Sequence, residues 1–337
     1  VEILISFIIP FIILLTIVVF IHEYGHYYFA KRYGVGVTDF SIGFGKELFG
    51  FNDKSGTRWK FCAIPLGGYV KFFGDRNVFS QAEQEELLKE YNEEDRKKLF
   101  VVKPLYQRSL IVAAGPFANF LLAIVIFAFI YMFAGKDFTP AQIQEVQSES
   151  PAYIAGIKSG DVIQSINNRE VKSIMEVSTF INTASSDTID IEVLRNGNEL
   201  TLQVKPKFIK GKDSLGNQIN KKIIGIKVAP LNEEINRQRL GPATAIYYAI
   251  KETWFVIEAS WDFVISLFKG TGDTSQLGGP IKIAKITGQV AKFGVVAFLS
   301  IMAYISISLG FINLFPIPML DGGHLMFYAF EKILGRP

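Results

Sequence analysis

The sequence predicts a polytopic α-helical membrane protein with three visible spanning segments, a membrane-associated β-hairpin or small sheet, and one inserted α+β domain. Three observations predict this fold class. There are three long uncharged apolar runs, an aromatic- and glycine-rich stretch between the first two, and a polar stretch with short strand patterns before the third. The composition agrees, because 49% hydrophobic residues are too many for an ordinary soluble protein while 20% charged residues require a sizeable water-exposed part.

Charge and cysteine content exclude several kinds of protein. A formal net charge of +3 is near neutral and argues against nucleic acid as a partner. A single cysteine, Cys62, leaves no internal disulfide and no cysteine-based zinc site. The first apolar run lacks the basic start and the small-residue cleavage site of a signal peptide, so we expect it to be retained.

The first segment, residues 1–34, is predicted to be a transmembrane helix that ends in a metal-binding motif. Ile3 to Ile21 carries no charge, and 19 residues at 1.5 Å each reach roughly 28 Å, close to the hydrocarbon thickness of a bilayer. The motif His-Glu-Tyr-Gly-His follows directly at residues 22–26. Lys31 and Arg32 then close the helix as an expected cytoplasmic anchor.

This H-E-x-x-H pattern is typical of a zinc hydrolase. On a helix, His22 and His26 share one face and can bind a single ion, and Glu23 is placed to take a proton from a water molecule. The alternative is a pair of helix histidines satisfied by their neighbours. That alternative is disfavoured because ionisable residues in a membrane helix are costly and usually functional. We therefore expect Zn²⁺ as the cofactor.

Residues 35–107 are predicted to form a cytoplasmic-side β-hairpin region and a charged helix. Strand-like alternation at residues 57–63 is followed by a Pro-Leu-Gly-Gly turn into the strand Tyr69 to Phe73. We expect this hairpin to lie against the membrane face, although a plain cytoplasmic hairpin fits the residues equally well. Gln81 to Phe100 is strongly charged and predicts a solvated helix.

Residues 108–135 are predicted to be the second transmembrane helix. Leu110 to Ala134 is uncharged and long enough to span, and it carries one notable polar residue, Asn119. Asn119 fits either a helix–helix hydrogen bond or a contact to substrate backbone.

Residues 136–230 carry the short strands and turns of a soluble domain. The series Pro151 to Ile157, Gly160 to Ile163, Ile166-Asn167 and Val171 resembles the PDZ domain of bacterial envelope proteases. The resemblance places the loop that receives a peptide C-terminus at residues 155–157. A gate or spacer that binds no free terminus is an equal alternative.

Residues 231–292 are predicted to hold an amphipathic interfacial helix and a loop. Between Gly241 and Gly270, charged residues recur at steps of 7, 4 and 7 and so share one helical face. A spanning helix is disfavoured, because it would deliver the end of the last apolar segment to the wrong side of the membrane.

Residues 293–330 are predicted to be the third transmembrane segment. Phe293 to Leu320 is uncharged for 28 residues, and Pro316 and Pro318 must break or bend its helix. The first and third runs cross in the same direction, which brings Asp321 to the side of the membrane where a third ligand is needed. His324 is the rival ligand, and spacing alone leaves the choice open.

These motifs together resemble the site-2 protease family of intramembrane zinc metalloproteases, in particular the bacterial RseP type. The resemblance implies zinc ligands His22, His26 and Asp321, with Glu23 as the catalytic base. It further implies that Asn119 and Asn313 hold substrate backbone and that the strands after Val37 pair with an unwound substrate segment. The matching stretches are residues 22–26, 40–45, 64–71, 114–116 with Asn119, 278–280 and 313–323.

The same resemblance implies partners and location. We expect single-span membrane proteins such as anti-sigma factors or signal-peptide remnants as substrates, and the bacterial inner membrane as the location. The active site would face the cytoplasm and the PDZ domain the periplasm. Relatives often carry two PDZ domains, whereas this chain has room for one. Relatives also continue beyond residues 331–337 into a fourth spanning helix, which is expected to be missing here either because the chain is truncated or because its C-terminal part is left out. The alternative function is a non-catalytic PDZ-bearing membrane adaptor with a structural zinc site, which would need no base such as Glu23. A zinc transporter is disfavoured, because the several in-membrane ligands of a transport path are lacking.

Overall fold

The computed structural model divides the chain into two compact units. The first unit contains Val1–Ile126 and Thr287–Pro337, and the second contains Phe127–Ile286. The structure describes residues 4–74, 88–184, 186–212, 218–231, 235–269 and 278–335.

Long apolar helices confirm the prediction of three spanning segments. Among the described residues, three helices are long and apolar enough to cross a membrane. They are α1 (Ile9–Arg32, preceded by a π-helical turn at Leu4–Ile8), α3 (Leu105–Phe133) and α8 (Val295–Asn313). Pro10 lies in the first turn of α1, directly after the π-helical turn, and Lys31 and Arg32 complement the carboxyl end of the helix dipole.

A long β-hairpin follows α1 in the first unit. Strands β1 (Val37–Asn52) and β2 (Arg58–Phe72) pair antiparallel with several register shifts. These shifts fold the hairpin back on itself, so that Phe40 pairs with both Trp59 and Val70. The segment of β2 from Gly68 to Phe72 pairs with β1 on one side, and within the described residues its other edge carries no further strand. Contact of this hairpin with a membrane stays a prediction.

Asp53 fastens the turn of the hairpin to α1. Its Oδ1 accepts hydrogen bonds from the backbone amides of Ser55 and Thr57 and from the Ser55 hydroxyl, at 2.7–2.9 Å. Its Oδ2 accepts from the Tyr27 hydroxyl at 2.8 Å and from the Trp59 indole at 3.2 Å. One carboxylate therefore satisfies five donors and fixes the position of the hairpin on the helix that carries the histidines.

The predicted charged helix lies partly outside the described residues, since residues 81–87 are not among them. In the described part, residues 88–90 are helical and a separate short helix, α2, covers Glu93–Arg96. Asn92 interrupts the helix, because its extended backbone lets the side chain accept from the Asp95 amide and so cap α2.

The second unit is built around a mixed α and β core. Its strands and helices are β4 (Ala141–Val146), α4 (Pro151–Ile154), β5 (Val162–Ile166), β6 (Arg169–Glu170), α5 (Ile174–Thr183), β7 (Ile189–Arg195), β8 (Asn198–Val204) and β11 (Ile226–Pro230). The strands form a sheet in the order β11-β4-β5-β7-β8, with β6 paired to β5, and this sheet packs against α5 through buried aliphatic side chains, most of them Ile and Val. The smaller pairs are β3 (Lys136–Asp137) with β12 (Arg237–Gln238), and β9 (Lys207–Lys212) with β10 (Gln218–Ile223).

Helix α6 (Pro242–Phe268) is the predicted amphipathic helix, and part of its polar face binds the sheet domain. Asp262 accepts from Arg169 at 2.7 Å, and Phe255 packs edge-on against Phe180. Large apolar side chains are exposed elsewhere on this helix, namely Ile246, Tyr247, Ile250, Trp254, Trp261 and Phe268. Its placement at the membrane interface stays a prediction.

The last apolar segment is broken, as the two prolines predict. Helix α7 (Pro280–Ala291) leads into α8, which ends at Asn313, and α9 (Asp321–Leu334) begins after a seven-residue turn at residues 314–320. Gly322 and Gly323 let α9 fold back on that turn. A Cβ at Gly322 would lie 2.3 Å from the Leu314 carbonyl, and one at Gly323 would lie 2.4 Å from the Ile317 oxygen.

Candidate metal centre

Three side chains from the two ends of the chain meet in the first unit. The Nε2 atoms of His22 and His26 are 3.3 Å apart. Asp321 places Oδ2 at 3.2 Å from His22 Nε2 and Oδ1 at 3.5 Å from His26 Nε2. One candidate ligand atom from each residue lies within 4.8 Å of the others, which is close enough for one ion to bind all three.

Local structure explains why these three side chains converge. His22 and His26 are one helical turn apart on α1 and therefore point the same way. Asp321 is the first residue of α9, directly after the proline-containing turn, so the break in the last apolar segment aims its carboxylate at the histidines. The resulting pocket is nearly closed, with the side chains 9%, 12% and 17% exposed in that order.

His26 is held in the tautomer that a metal needs. Its Nδ1 lies 2.9 Å from the backbone oxygen of Ile111, which can only accept a hydrogen bond. Nδ1 therefore carries the proton, and the lone pair of Nε2 is left to face Asp321 and His22. Such a backbone acceptor on the remote nitrogen is the usual support of a metal-binding histidine.

Asn119 lies against the other histidine. Its side-chain Nδ2 is 3.3 Å from His22 Nδ1, and the residue is fully buried. Its Oδ1 is buried without a hydrogen-bond partner. The structure therefore places Asn119 on the remote nitrogen of His22, on the far side of the imidazole from Asp321.

The donor set and an unsatisfied atom both fit a zinc ion. Two imidazole nitrogens and one carboxylate oxygen are the ligands of one common type of catalytic zinc site. Asp321 Oδ2 is buried and accepts no hydrogen bond, and a buried carboxylate oxygen without a partner is costly. A cation bound between the three residues would satisfy it.

Gly115 makes room for the two imidazoles. A Cβ at this position on α3 would lie 2.3 Å from His26 Nε2 and 2.9 Å from His22 Cε1. Real Cβ atoms do not approach other heavy atoms so closely, so a larger residue would displace the ligand atoms themselves. The sequence drew attention to Ala114-Gly115-Pro116 as a motif but gave no sign of this role.

Glu23 faces the same centre from α1. It is close enough to interact electrostatically with His22, His26 and Asp321, and the backbone amide of Val70 on β2 lies within hydrogen-bonding reach of its carboxylate. A Cβ added at Gly68 would contact the Glu23 side chain at 3.3 Å. The open edge of the hairpin therefore passes directly beside the predicted base.

Of the two remaining predicted residues, Asn313 lies near the metal centre and His324 lies away from it. Asn313, the last residue of α8, places Nδ2 at 3.5 Å from His22 Nε2, on the side of the ligand atoms. His324 is exposed and does not join the three-residue cluster. Between the two rival ligands, the geometry brings Asp321 and not His324 to the histidines.

The fold and the site together define a class of protein. A helix able to span a membrane presents two histidines and a glutamate in H-E-x-x-H spacing, and a second apolar segment supplies the carboxylate. This combination defines a membrane-embedded zinc-peptidase class. The profile of peptidase family M50 matches residues 10–337.

The names of similar proteins agree with this class. A protein of Mesorhizobium japonicum, named as a candidate zinc metalloprotease, is 42% identical over 332 residues, covering 98% of this chain and 90% of the relative. Another with the same description, from Agrobacterium fabrum, is 41% identical, covering 98% and 88%. Metalloprotease MmpA of Caulobacter vibrioides is 36% identical over 345 residues, covering 96% and 86%.

A solved structure resembles part of the chain. The PDZ domain of an SdrC-like protein from Listeria monocytogenes is 22% identical and covers 27% of this chain and 88% of that domain, with a TM-score of 0.22. The assignment of a PDZ domain to residues 136–230 stays a prediction.

The chain belongs to peptidase family M50, the site-2 protease family. It is a zinc metalloprotease and a multi-pass membrane protein. The predictions of the family, the enzyme class and the zinc cofactor are confirmed.

Proposed function

We propose that this enzyme hydrolyses peptide bonds within or near the transmembrane segment of single-span membrane proteins, with zinc held by His22, His26 and Asp321 and with Glu23 as the base. The observation that carries the proposal is the convergence of three ligand atoms within 4.8 Å at the end of a helix long enough to span a membrane. A peptide bond would have to come to this depth to be cut.

The residues around the centre suit peptide hydrolysis. Zinc supplies Lewis acidity, which polarises a carbonyl and makes water a better nucleophile near neutral pH. The Glu23 carboxylate takes the proton from the attacking water and returns it to the nitrogen of the leaving amine. The Val70 amide, which lies near that carboxylate, is placed to orient it. The Asn313 amide, which faces the ligand atoms, donates to the substrate carbonyl oxygen as negative charge develops there.

Edge pairing would hold the substrate. A transmembrane helix hides its peptide bonds in its own hydrogen bonds, so a substrate must unwind, and each freed backbone group costs several kcal/mol in lipid. The open edge of β2 from Gly68 to Phe72 lies beside Glu23 and offers main-chain partners at that point.

The proposed location and substrates are based on the family resemblance. We place the enzyme in the bacterial inner membrane, with the metal centre toward the cytoplasm because Lys31, Arg32, Lys103 and Arg108 flank the first loop. The PDZ domain would then be periplasmic and would either bind peptide C-termini or gate access. Anti-sigma factors and signal-peptide remnants are the proposed substrates.

The Glu23→Gln variant tests this proposal. Purified parent and variant in detergent are assayed for zinc per chain and for cleavage of a single-span model substrate. We expect about one zinc in both and cleavage in the parent alone, blocked by a chelator and restored by zinc. Equal cleavage by parent and variant would remove Glu23 from the mechanism. Bound zinc without cleavage in either protein would favour the adaptor function instead.

A further inference from the structure

We infer that Asn119 is a positioning residue for the metal centre: its side-chain oxygen accepts the Nδ1 proton of His22 and so directs the Nε2 lone pair toward the ion. This inference rests on the proposed zinc site. It gives Asn119 a role distinct from holding substrate backbone.

Zinc binding to Nε2 determines which tautomer His22 adopts. A zinc ion on His22 Nε2 leaves the imidazole proton on Nδ1, which then needs an acceptor. The group within reach of Nδ1 is the Asn119 amide at 3.3 Å. With Nδ2 in that position two donors would oppose each other, whereas a half-turn of the amide places Oδ1 there within the same volume.

The side-chain oxygen of Asn119 is the second feature that favours a turned amide. Asn119 Oδ1 is buried and has no partner while Nδ2 faces the imidazole. An unmade hydrogen bond at a buried acceptor is destabilising. Turning the amide gives Oδ1 the Nδ1 proton as a hydrogen-bond partner, so zinc binding to Nε2 and pairing of Oδ1 favour the same arrangement.

The surroundings of Asn119 exclude a substrate. The residue is fully buried, and its backbone oxygen accepts from the Ser306 hydroxyl of α8 at 2.9 Å. A Cβ at Gly310 would lie 3.3 Å from the Asn119 Cβ, so α8 also packs closely on this side chain. Within the described part of the chain, the amide is covered by His22 and α8 and presents no surface to substrate backbone.

The remote nitrogen of His26 has a comparable partner on the same helix. Helix α3 provides the acceptor for His26 through the Ile111 backbone oxygen, and the acceptor for His22 through Asn119. The second spanning helix therefore orients both imidazoles without supplying a metal ligand of its own. Partners of this kind commonly change metal affinity by about 10–100-fold when they are removed.

The test uses the full chain in detergent, with the variants N119L, N119D and S306A. Leucine has a similar volume but no acceptor, and aspartate retains an acceptor oxygen. Ser306→Ala is the matched control, since it disturbs the same helix contact without removing the acceptor from His22. Zinc affinity of the metal-free protein is measured by competition with a chelator, and Co²⁺ substitution reports the coordination geometry in the visible spectrum.

We expect N119L to bind zinc about 10–100-fold more weakly and to show an altered Co²⁺ spectrum, while N119D and S306A bind within a few-fold of the parent. Parental zinc affinity in N119L, with only a raised KM for substrate, would overturn the inference and favour substrate binding by Asn119. If N119L does not fold, weak zinc binding by a folded N119D would overturn it equally. A parent that binds no zinc would instead refute the proposed site itself.

Discussion

Arg108 and Glu331 form a two-pronged ion pair although they are 223 residues apart in the chain. Arg108 Nη1 lies 3.1 Å from Glu331 Oε2, and Nη2 binds Oε1. The guanidinium also lies over the Tyr328 ring, 5.1 Å from its centre. Glu331 belongs to the helix that begins with Asp321, so the pair fixes the helix of the third ligand to the start of the second spanning helix.

Breaking one half of this pair is predicted to weaken the metal centre from a distance. The two side chains are only 10% and 19% exposed, so Arg108→Met leaves the Glu331 carboxylate without its partner at a cost of about 3 kcal/mol. We expect a lower unfolding temperature in detergent and weaker zinc binding, since α9 is less firmly held. The double variant R108M/E331M removes both charges and should be more stable than R108M. Additive losses in the double variant would contradict the coupling.

Gly115→Ala is predicted to abolish zinc binding while the protein stays folded. The added methyl group would lie 2.3 Å from His26 Nε2 and must displace the imidazole or the helix. The matched control is Gly279→Ala, because a Cβ there meets nothing within 4 Å. Zinc per chain and circular dichroism of both variants check the prediction. Parental zinc content in G115A would mean that the close contact is relieved without moving a ligand.

Proline in the open edge of β2 is predicted to reduce turnover while zinc stays bound. The Phe73 amide donates inward to Gly36, and backbone groups alternate along a strand, so the Val70 amide points to the open edge. Val70→Pro removes that donor from the vicinity of Glu23, whereas Val70→Ala keeps it. We expect V70P to lose most of its activity and V70A to retain most of it. Equal turnover of both variants would refute substrate pairing and carboxylate orientation at this amide.

The second unit is predicted to lose stability in acid through Asp161. Burial raises the pKa of Asp161, but the hydrogen bonds and charge of Arg195, at 2.7 Å from each carboxylate oxygen, and the Lys158 amide outweigh it, so the pKa lies below its ordinary value. Because the folded pKa is the lower one, this stabilisation is fully present above the unfolded pKa of about 3.9 and is lost as pH falls toward the folded value.

Hydrogen exchange in β5 and β7 of the full chain, corrected for intrinsic rates, measures this effect. Protection in the parent should fall as pH is lowered below about 4. Asp161→Asn should be less stable near neutral pH and should lose less protection over the acid range. A parallel pH dependence in parent and variant would assign the acid sensitivity to other carboxylates.

Structural features that depend on one segment of the chain could be predicted from the sequence. Those that depend on contacts between distant residues could not. The spanning helices, the histidine pair on one helix face and the break before Asp321 each follow from a pattern within one segment. Spacing left the choice between Asp321 and His324 open and only the family resemblance favoured Asp321. The fold adds the geometric reason, because both residues follow the same turn and only Asp321 joins the histidines.

Other parts of the centre had no sequence signal that could be read alone. The acceptor for His26 is a backbone oxygen of Ile111, which any residue would supply. The pair of Arg108 and Glu331 joins two ordinary charged residues far apart in the chain. Asn119 was singled out as the polar residue of an apolar helix, but its partner became evident only from its distance to His22.

Zinc content in matched variants shows whether His22, His26 and Asp321 hold the catalytic zinc. Parent, Asp321→Ala and His324→Ala are purified in detergent, and zinc per chain is measured after dialysis against a weak chelator. We expect about one zinc per chain in the parent and in H324A, and little in D321A. Zinc retained in D321A and lost in H324A would refute this ligand set and assign the third ligand to His324.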